Sequence, residues 1–393
     1  MTYDFDKVIN RKGDSYSLKW DVKEGELPLW VADMDFQTAP EILAALQKRL
    51  DHGIFGYSEI PDRWADAYLS WWQKRHHVVY AKEDLIFSTG VISILSSVVR
   101  KLTTPAEKVV VLTPVYNTFY NSILNNGRQV SECPMLYREG GYQVDYEDLE
   151  KKLADPQASL MILCNPHNPI GKIWSLEELK KIGELCKKHS VVVVSDEIHC
   201  DLVDPQKEYV PFVLAGEDCR QNAIVCMAPT KTFNLAGIQT AAAAVPNPTL
   251  RHKVWRALNT DEVAEPNSFA ITAAIAAFEE GEPWLLALQD YLYANKQLVA
   301  SYLKENCPDL QLLPSEATYL LWLRVADLPG DKTNLAPFIR KETGLYLTAG
   351  YHYRGDGKDF MRMNIACPRS TLTDALSRLK KGVELWKEKQ IKG

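Results

Sequence analysis

Four short apolar runs, Val109–Leu112, Leu160–Cys164, Val191–Val194 and Ala223–Ala228, are each followed by residues able to do chemistry. The first leads to Thr113-Pro114-Val115-Tyr116 and the second to Asn165-Pro166-His167-Asn168-Pro169. The third leads to Ser195-Asp196-Glu197-Ile198-His199 and the fourth to Pro229-Thr230-Lys231. Open α/β sheets bind ligands at the carboxyl ends of their strands, so these residues carry more weight than polar residues elsewhere. Together they set an aromatic ring, an amide, an acid, an imidazole, a hydroxyl and an amine around one crevice, the groups that acid–base and nucleophilic chemistry use. Taken singly, each has an ordinary alternative. Asp196 can be a strand-end turn acid, Asn168 a turn former between prolines, His199 a satisfied core histidine, Tyr116 simple packing, and Lys231 one solvated lysine among many. Independent turn residues have no reason to follow four successive strands in this chemical order.

The elements that must position them are legible as alternating strands and helices. Between the second and third runs, Ser175 and Glu178 have capping-box spacing, and Leu176, Leu179, Ile182 and Leu185 repeat at helical intervals, predicting a helix over 175–189. This alternation is that of an α/β domain with a mostly parallel, doubly covered sheet. A second organisation begins near Trp284, with a long helical pattern, strand-like runs at Thr318–Leu323 and Phe360–Ile365, and a closing helix striped by Leu372, Leu376, Leu379, Val383 and Trp386. The expected division is a large domain over 46–285, a smaller α+β domain over 286–393, and an N-terminal segment, 1–45, that joins the smaller one.

Bulk composition narrows the function classes. With 393 residues, 46% apolar and 24% charged, the chain has ample core and is neither disordered nor low in complexity. Its 45 Lys and Arg against 51 Asp and Glu give a net charge of -6, which offers no support for a nucleic-acid or anionic-membrane partner. The 8 cysteines contain no C-x-x-C pair, which argues against zinc and iron–sulfur sites and for reduced thiols. No window approaches the length of a membrane span, and the opening MTYDFDKVINRKGD lacks a signal-peptide core. A cytoplasmic location is expected.

Three strings make the chain recognisable: N-P-H-N-P-I-G (165–171), V-V-V-V-S-D-E-I-H (191–199) and A-P-T-K-T-F-N-L-A-G (228–237). They resemble the pyridoxal-phosphate enzymes of fold type I, in the class I/II aminotransferase superfamily, which implies a mostly parallel seven-stranded sheet in the large domain. The opening W-V-A-D-M-D-F (30–36) narrows this to the cystathionine β-lyase (C-S lyase) branch, the MalY/PatB type. The resemblance runs from about residue 25 to about residue 385. It implies that Lys231 forms the Schiff base with pyridoxal 5'-phosphate and that Asp196 pairs with the pyridinium nitrogen. It further implies that Asn168 donates to the phenolic oxygen, that His199 does the same from a place where many relatives carry tyrosine, and that Tyr116 stacks on the ring. Gly90, Val91 and Ile92, opening the helical run 93–100, and Thr230 beside the lysine would take the phosphate. Tyr57 matches the tyrosine that reaches the phosphate from a partner subunit, implying a homodimer with shared active sites. Arg362 matches the arginine that grips the substrate α-carboxylate. Ala32, Asp33 and Tyr116 fall on the substrate side.

One departure stands out. Many aminotransferases carry a phosphate-binding arginine eight residues after the lysine, and here that position is Gln239. The stretch Gly350-Tyr351-His352-Tyr353-Arg354 also differs from the Phe/Gly-rich loop common in relatives and is a candidate for substrate selectivity. The implied reaction is α,β-elimination: cystathionine would give homocysteine, pyruvate and ammonia, and cysteine would give hydrogen sulfide. A transaminase shares every step up to the carbanion, so the alternative is an aminotransferase, and a third reading is a regulatory protein on the same fold.

Overall fold

The computed structural model describes residues 3–138 and 140–392. Seven strands form one sheet: β1 (Leu85–Ser88), β2 (Lys108–Thr113), β3 (Gln129–Pro134), β4 (Ala158–Cys164), β5 (Val192–Asp196), β6 (Ala223–Met227) and β7 (Ala241–Ala244). Their order is β1-β7-β6-β5-β4-β2-β3. Every pairing from β6 to β3 is parallel, and β7 runs antiparallel to both of its neighbours.

The near-continuous Val, Ile and Leu content of β2, β4 and β5 reflects cover on both faces. Successive side chains point to opposite faces of a strand. Val109 and Val111 accordingly pack with Ile94, Leu95 and Val98 of the helix Val91–Leu102, whereas Val110 and Leu112 belong to the core on the other side. Full burial of each such side chain is worth about 1.5–3 kcal/mol, and a one-residue slip would turn each onto the wrong face. Register is thereby set, and with it the residue at each strand's carboxyl end. β5 extends further than its apolar run suggests, because Ser195 and Asp196 pair with Leu163 and Cys164. Asp196 is therefore the last residue of its strand.

The helix read over 175–189 spans Leu176–Lys188. Ser175 Oγ accepts from the Glu178 N–H at 3.2 Å and Glu178 Oε2 accepts from the Ser175 N–H at 2.9 Å, closing the capping box. Its buried stripe is Leu179, Ile182, Gly183 and Cys186, while Leu176 is 46% exposed.

A second, antiparallel sheet is made by β8 (Gln311–Leu312), β9 (Leu320–Arg324), β10 (Thr348–Ala349) and β11 (Phe360–Asn364), in the order β8-β9-β11-β10. The helices Glu282–Asn306 and Arg369–Lys392 flank it in sequence. Near the start of the chain, Leu27–Pro28 pairs in parallel with Leu345–Tyr346. Residues 45 and 285, where the sequence suggests divisions, lie inside the helices Pro40–Asp51 and Glu282–Asn306. All eight cysteines are free and buried. Among the described residues no helix is long and apolar enough to cross a membrane.

Candidate active site

A cavity of about 900 Å³ opens between the ends of β2 and β6 and the second sheet, with Trp30, Ala32, Tyr116, Lys231, Tyr353 and Arg362 on its wall. Lys231 sits in the turn after β6, which is closed by the Phe233 N–H to Pro229 carbonyl bond at 2.9 Å and the Leu235 N–H to Thr230 carbonyl bond at 2.9 Å. Its Nζ donates to the Ala32 carbonyl at 2.5 Å, and the Tyr319 hydroxyl donates to the same carbonyl at 3.1 Å. Burial pulls the Lys231 amine down to about 8; the neighbouring Asp33 and Asp196 oppose the shift, and Arg362 adds to it.

Asp196, buried at the end of β5, accepts from the Ile198 N–H at 3.2 Å. Burial pushes its carboxyl up to about 7, against the pull of that hydrogen bond and of Lys231. His199 is buried three residues later, and burial together with the positive charges of Lys231 and Arg362 brings it down to about 3. It is thus a neutral imidazole. Its ring meets Tyr319 edge to face with centroids 6.2 Å apart.

Arg362, on β11, comes to the cavity wall buried and restrained. Nη2 donates to the Trp30 carbonyl at 2.7 Å, Nη1 to Asn168 Oδ1 at 3.3 Å, and the guanidinium lies 5.1 Å from the Tyr353 ring centroid. Arg362 Nε and His199 Nδ1 are both buried without a partner. Unpaired buried polar atoms are costly, and these two, the first on the cavity wall and the second within electrostatic reach of Lys231, are donor or acceptor sites that a bound group can satisfy.

Residues 30–36 stitch the site together through their carbonyls. Trp30 accepts from Arg362 and from Thr348 Oγ1 at 3.1 Å; Asn364 Nδ2 reaches Val31 at 2.6 Å and Asp33 at 2.7 Å. Asn234 Nδ2 reaches Met34 at 3.0 Å and Phe36 at 2.9 Å, while its Oδ1 accepts from the Met34 N–H at 2.9 Å. Asp33 and Asp35 turn away from the cavity to Arg11 at 2.6 and 2.7 Å, and Lys19 approaches Asp35 at 2.8 Å.

The residues singled out from the sequence therefore fall into three places. Ala32, Tyr116, Lys231 and Arg362 are on the cavity wall, and Asn168 touches Arg362. Asp196 and His199 are buried within electrostatic reach of Lys231. Gly90, Val91, Ile92, Thr230 and Asp33 are not on that wall. Gly90 caps the helix Val91–Leu102, and a Cβ added there would meet nothing nearer than Ser93 Oγ at 3.9 Å, so the space before the helix N-terminus is open. Tyr57 is fully exposed in the coil 53–61 and off its own chain's cavity wall. Gln239 is likewise exposed.

Sequence reasoning passed over Trp30, Tyr319, Asn234 and Asn364. Asn364 had a usable signal, since it stands two residues after Arg362 on an otherwise apolar strand and so shares its face. Gly171, closing the 165–171 string, has φ +66°, and a Cβ there would come within 2.8 Å of the Ala317 carbonyl. Its carbonyl accepts from Glu316 N–H at 2.9 Å and Ala317 N–H at 3.1 Å, so glycine lets the approach to β9 lie directly on the Asn168 turn.

The family model for aminotransferase class I and II matches residues 25–379. Cystathionine beta-lyase PatB of Bacillus subtilis is 42% identical over 96% of this chain and 98% of its own. Protein MalY of Escherichia coli is 34% identical over 96% and 98%. Among solved structures, cystalysin from Treponema denticola, which contains a pyridoxal 5'-phosphate cofactor, superposes with a TM-score of 0.94 at 31% identity, covering 98% of this chain and 99% of that one.

Proposed function

The chain belongs to the class I and II aminotransferase family, and from that membership we propose a pyridoxal 5'-phosphate-dependent carbon–sulfur β-lyase. It cleaves L-cystathionine, and L-cysteine or other cysteine S-conjugates, by α,β-elimination to a thiol, pyruvate and ammonia. The observation that carries the carbon–sulfur reading is 42% identity to a cystathionine β-lyase along nearly the whole of both chains.

The residues present fit the cofactor. An amine brought near neutrality, a buried carboxyl, an unpaired buried imidazole nitrogen and an open helix N-terminus are the donor set that an aldehyde, a pyridine nitrogen, a phenolic oxygen and a phosphate ask for. When bound, pyridoxal phosphate supplies a carbonyl for an amine and a ring that accepts electron density from the substrate carbon. Lys231 holds the amine and takes the Cα proton. Asp196 would hold a proton on the ring nitrogen, its carboxyl then favouring the charged form beside that cation. Asn168 and His199 would hold the phenolic oxygen, and Tyr116 would cover the ring. Gly90, Val91, Ile92 and Thr230 would hold the phosphate, joined by Tyr57 from a second copy of the chain. Arg362 orients the α-carboxylate; the Trp30 carbonyl fixes one of its nitrogens and leaves Nε free for a second contact.

We further propose a homodimer, supported by the exposed apolar side chains of Ile54, Phe55, Tyr57 and Ile60 on one short coil. The proposed domains are 1–45 with 286–393, and 46–285; the seven-stranded sheet lies within 85–244 and the four-stranded sheet within 311–364. Buried free thiols support a cytoplasmic location.

Pyruvate release from L-cystathionine, followed with and without 2-oxoglutarate, tests the reaction. Elimination predicts pyruvate, ammonia and homocysteine without any keto acid, and loss of all three in Lys231→Ala. Strict dependence on 2-oxoglutarate with glutamate as product would establish an aminotransferase instead.

A further inference from the structure

Asp201 lies outside the cavity yet is 2% exposed and saturated with donors. Oδ1 is 2.9 Å from His76 Nε2, 3.1 Å from Trp71 Nε1 and 3.4 Å from Arg75 Nε. Oδ2 accepts from Trp71 Nε1 at 3.2 Å and from Thr232 Oγ1 at 3.1 Å. Its backbone carbonyl accepts from Gln289 Nε2 at 2.7 Å. Trp71, Arg75 and His76 stand on the helix Asp62–His76, and Gln289 on Glu282–Asn306. His76, Cys200 and Asp201 are close enough to suggest a metal site. The indole N–H of Trp71 can only donate, however, and burial drives the Cys200 thiol well up, so the carboxylate faces protons rather than a cation.

What the cluster joins is more telling. Asp201 lies with His199 in the short turn that follows Asp196 at the end of β5, and Thr232 is the residue after Lys231. One residue thus ties the turn after Asp196 to the turn that carries the amine: its carboxylate reaches Thr232 and the helix Asp62–His76, and its backbone carbonyl reaches the helix Glu282–Asn306. We propose that Asp201 is a positioning residue for the elimination, which through the Thr232 hydroxyl sets the placement of Lys231 Nζ relative to Asp196. The inference rests on Lys231 being the amine that takes the cofactor. Small displacements of a reacting group are expensive in rate and cheap in binding.

The test compares Thr232→Val, which keeps the shape and removes the hydroxyl, with Thr232→Ser, which keeps the hydroxyl, in the cofactor-loaded enzyme. Thr232→Val is expected to lower kcat for pyruvate release about tenfold with KM within about twofold, and Thr232→Ser to stay near wild type. The pH midpoint of the cofactor's visible absorption should move by about half a unit in Thr232→Val, because the amine's surroundings change. Trp71→Phe, which removes a different donor to Asp201, should move that midpoint in the same direction. An unchanged kcat and absorption titration, with only a lower melting temperature, would reduce Asp201 to a stabilising contact. Borohydride fixation of pyridoxal phosphate to Lys231→Ala separates the two levels: label retained there removes the assignment of Lys231 and this inference together, whereas label lost there with a silent Thr232→Val removes this inference alone.

Discussion

Burial acts in opposite directions on the two ionisable groups at the heart of the site, because it disfavours whichever form is charged. The Lys231 amine comes down to about 8 and the Asp196 carboxyl goes up to about 7. Since only the neutral amine attacks an aldehyde, the rate at which cofactor-free protein takes up pyridoxal phosphate should rise with pH through about 8 and level above it, as followed by visible absorption. Asp196 yields a stability prediction with a definite sign. Its folded value of about 7 lies above the ordinary value of 3.8, so the folded chain holds a proton that the unfolded chain has lost across that interval. The contribution is full below the ordinary value and declines as pH rises towards 7, by at most about 1.4 kcal/mol per pH unit. In urea unfolding of the cofactor-free proteins, wild type should therefore weaken relative to Asp196→Asn between pH 4 and 7; a pH-independent difference would show the carboxyl already ionised. Glu197, also pushed up to about 7, is common to both proteins and cancels. Loaded Asp196→Asn should keep its cofactor and lose most turnover, as steady-state pyruvate assays would register, because an amide cannot hold the ring proton electrostatically. Residue types were readable in the string 191–199, but these shifts depend on what the fold packs around them.

At the scale of elements, the strands and helices bearing strong hydrophobic periodicity were legible, and β2, β4, β5 and β6 fall where their apolar runs lie. β7 was not, because four consecutive alanines carry neither a strand preference nor an alternating pattern. Its place is set by β1 and β6 on either side. The carbonyl seam of residues 30–36 was equally silent, since its partners Thr348, Asn364 and Asn234 are hundreds of positions away. That seam can be tested by Asn364→Ala, which strands two carbonyls and removes the acceptor of the Ala366 N–H at 2.8 Å. At about 1 kcal/mol for each bond, a loss of about 2–4 kcal/mol is expected as a lower urea midpoint with unchanged slope. A midpoint within error of wild type would mean that water replaces the side chain.

For the whole molecule, resemblance reached further than patterning, because the strings that carry it come from the strand ends of the seven-stranded sheet and from the segment 30–36 that precedes it in the chain. In its own chain Tyr57 is fully exposed and off the cavity wall, which suits a residue that serves a second copy of the chain. If it serves the neighbouring subunit, mixed dimers of Tyr57→Phe and Lys231→Ala should recover activity that neither parent has, since one site per hybrid is then intact. Hybrids demonstrated by mass and still inactive would place Tyr57 elsewhere. A different property follows from the eight cysteines, every one buried and every one raised above its ordinary value by desolvation. Thiol–disulfide exchange begins with a thiolate that can be reached. A catalyst that sheds a sulfhydryl compound at each turnover steadily fills its surroundings with the reagent best able to scramble or cap exposed sulfur. This chain presents no sulfur handle for that reagent to grasp, so it can accumulate product without becoming its target, and its mass should stay constant through prolonged turnover in air.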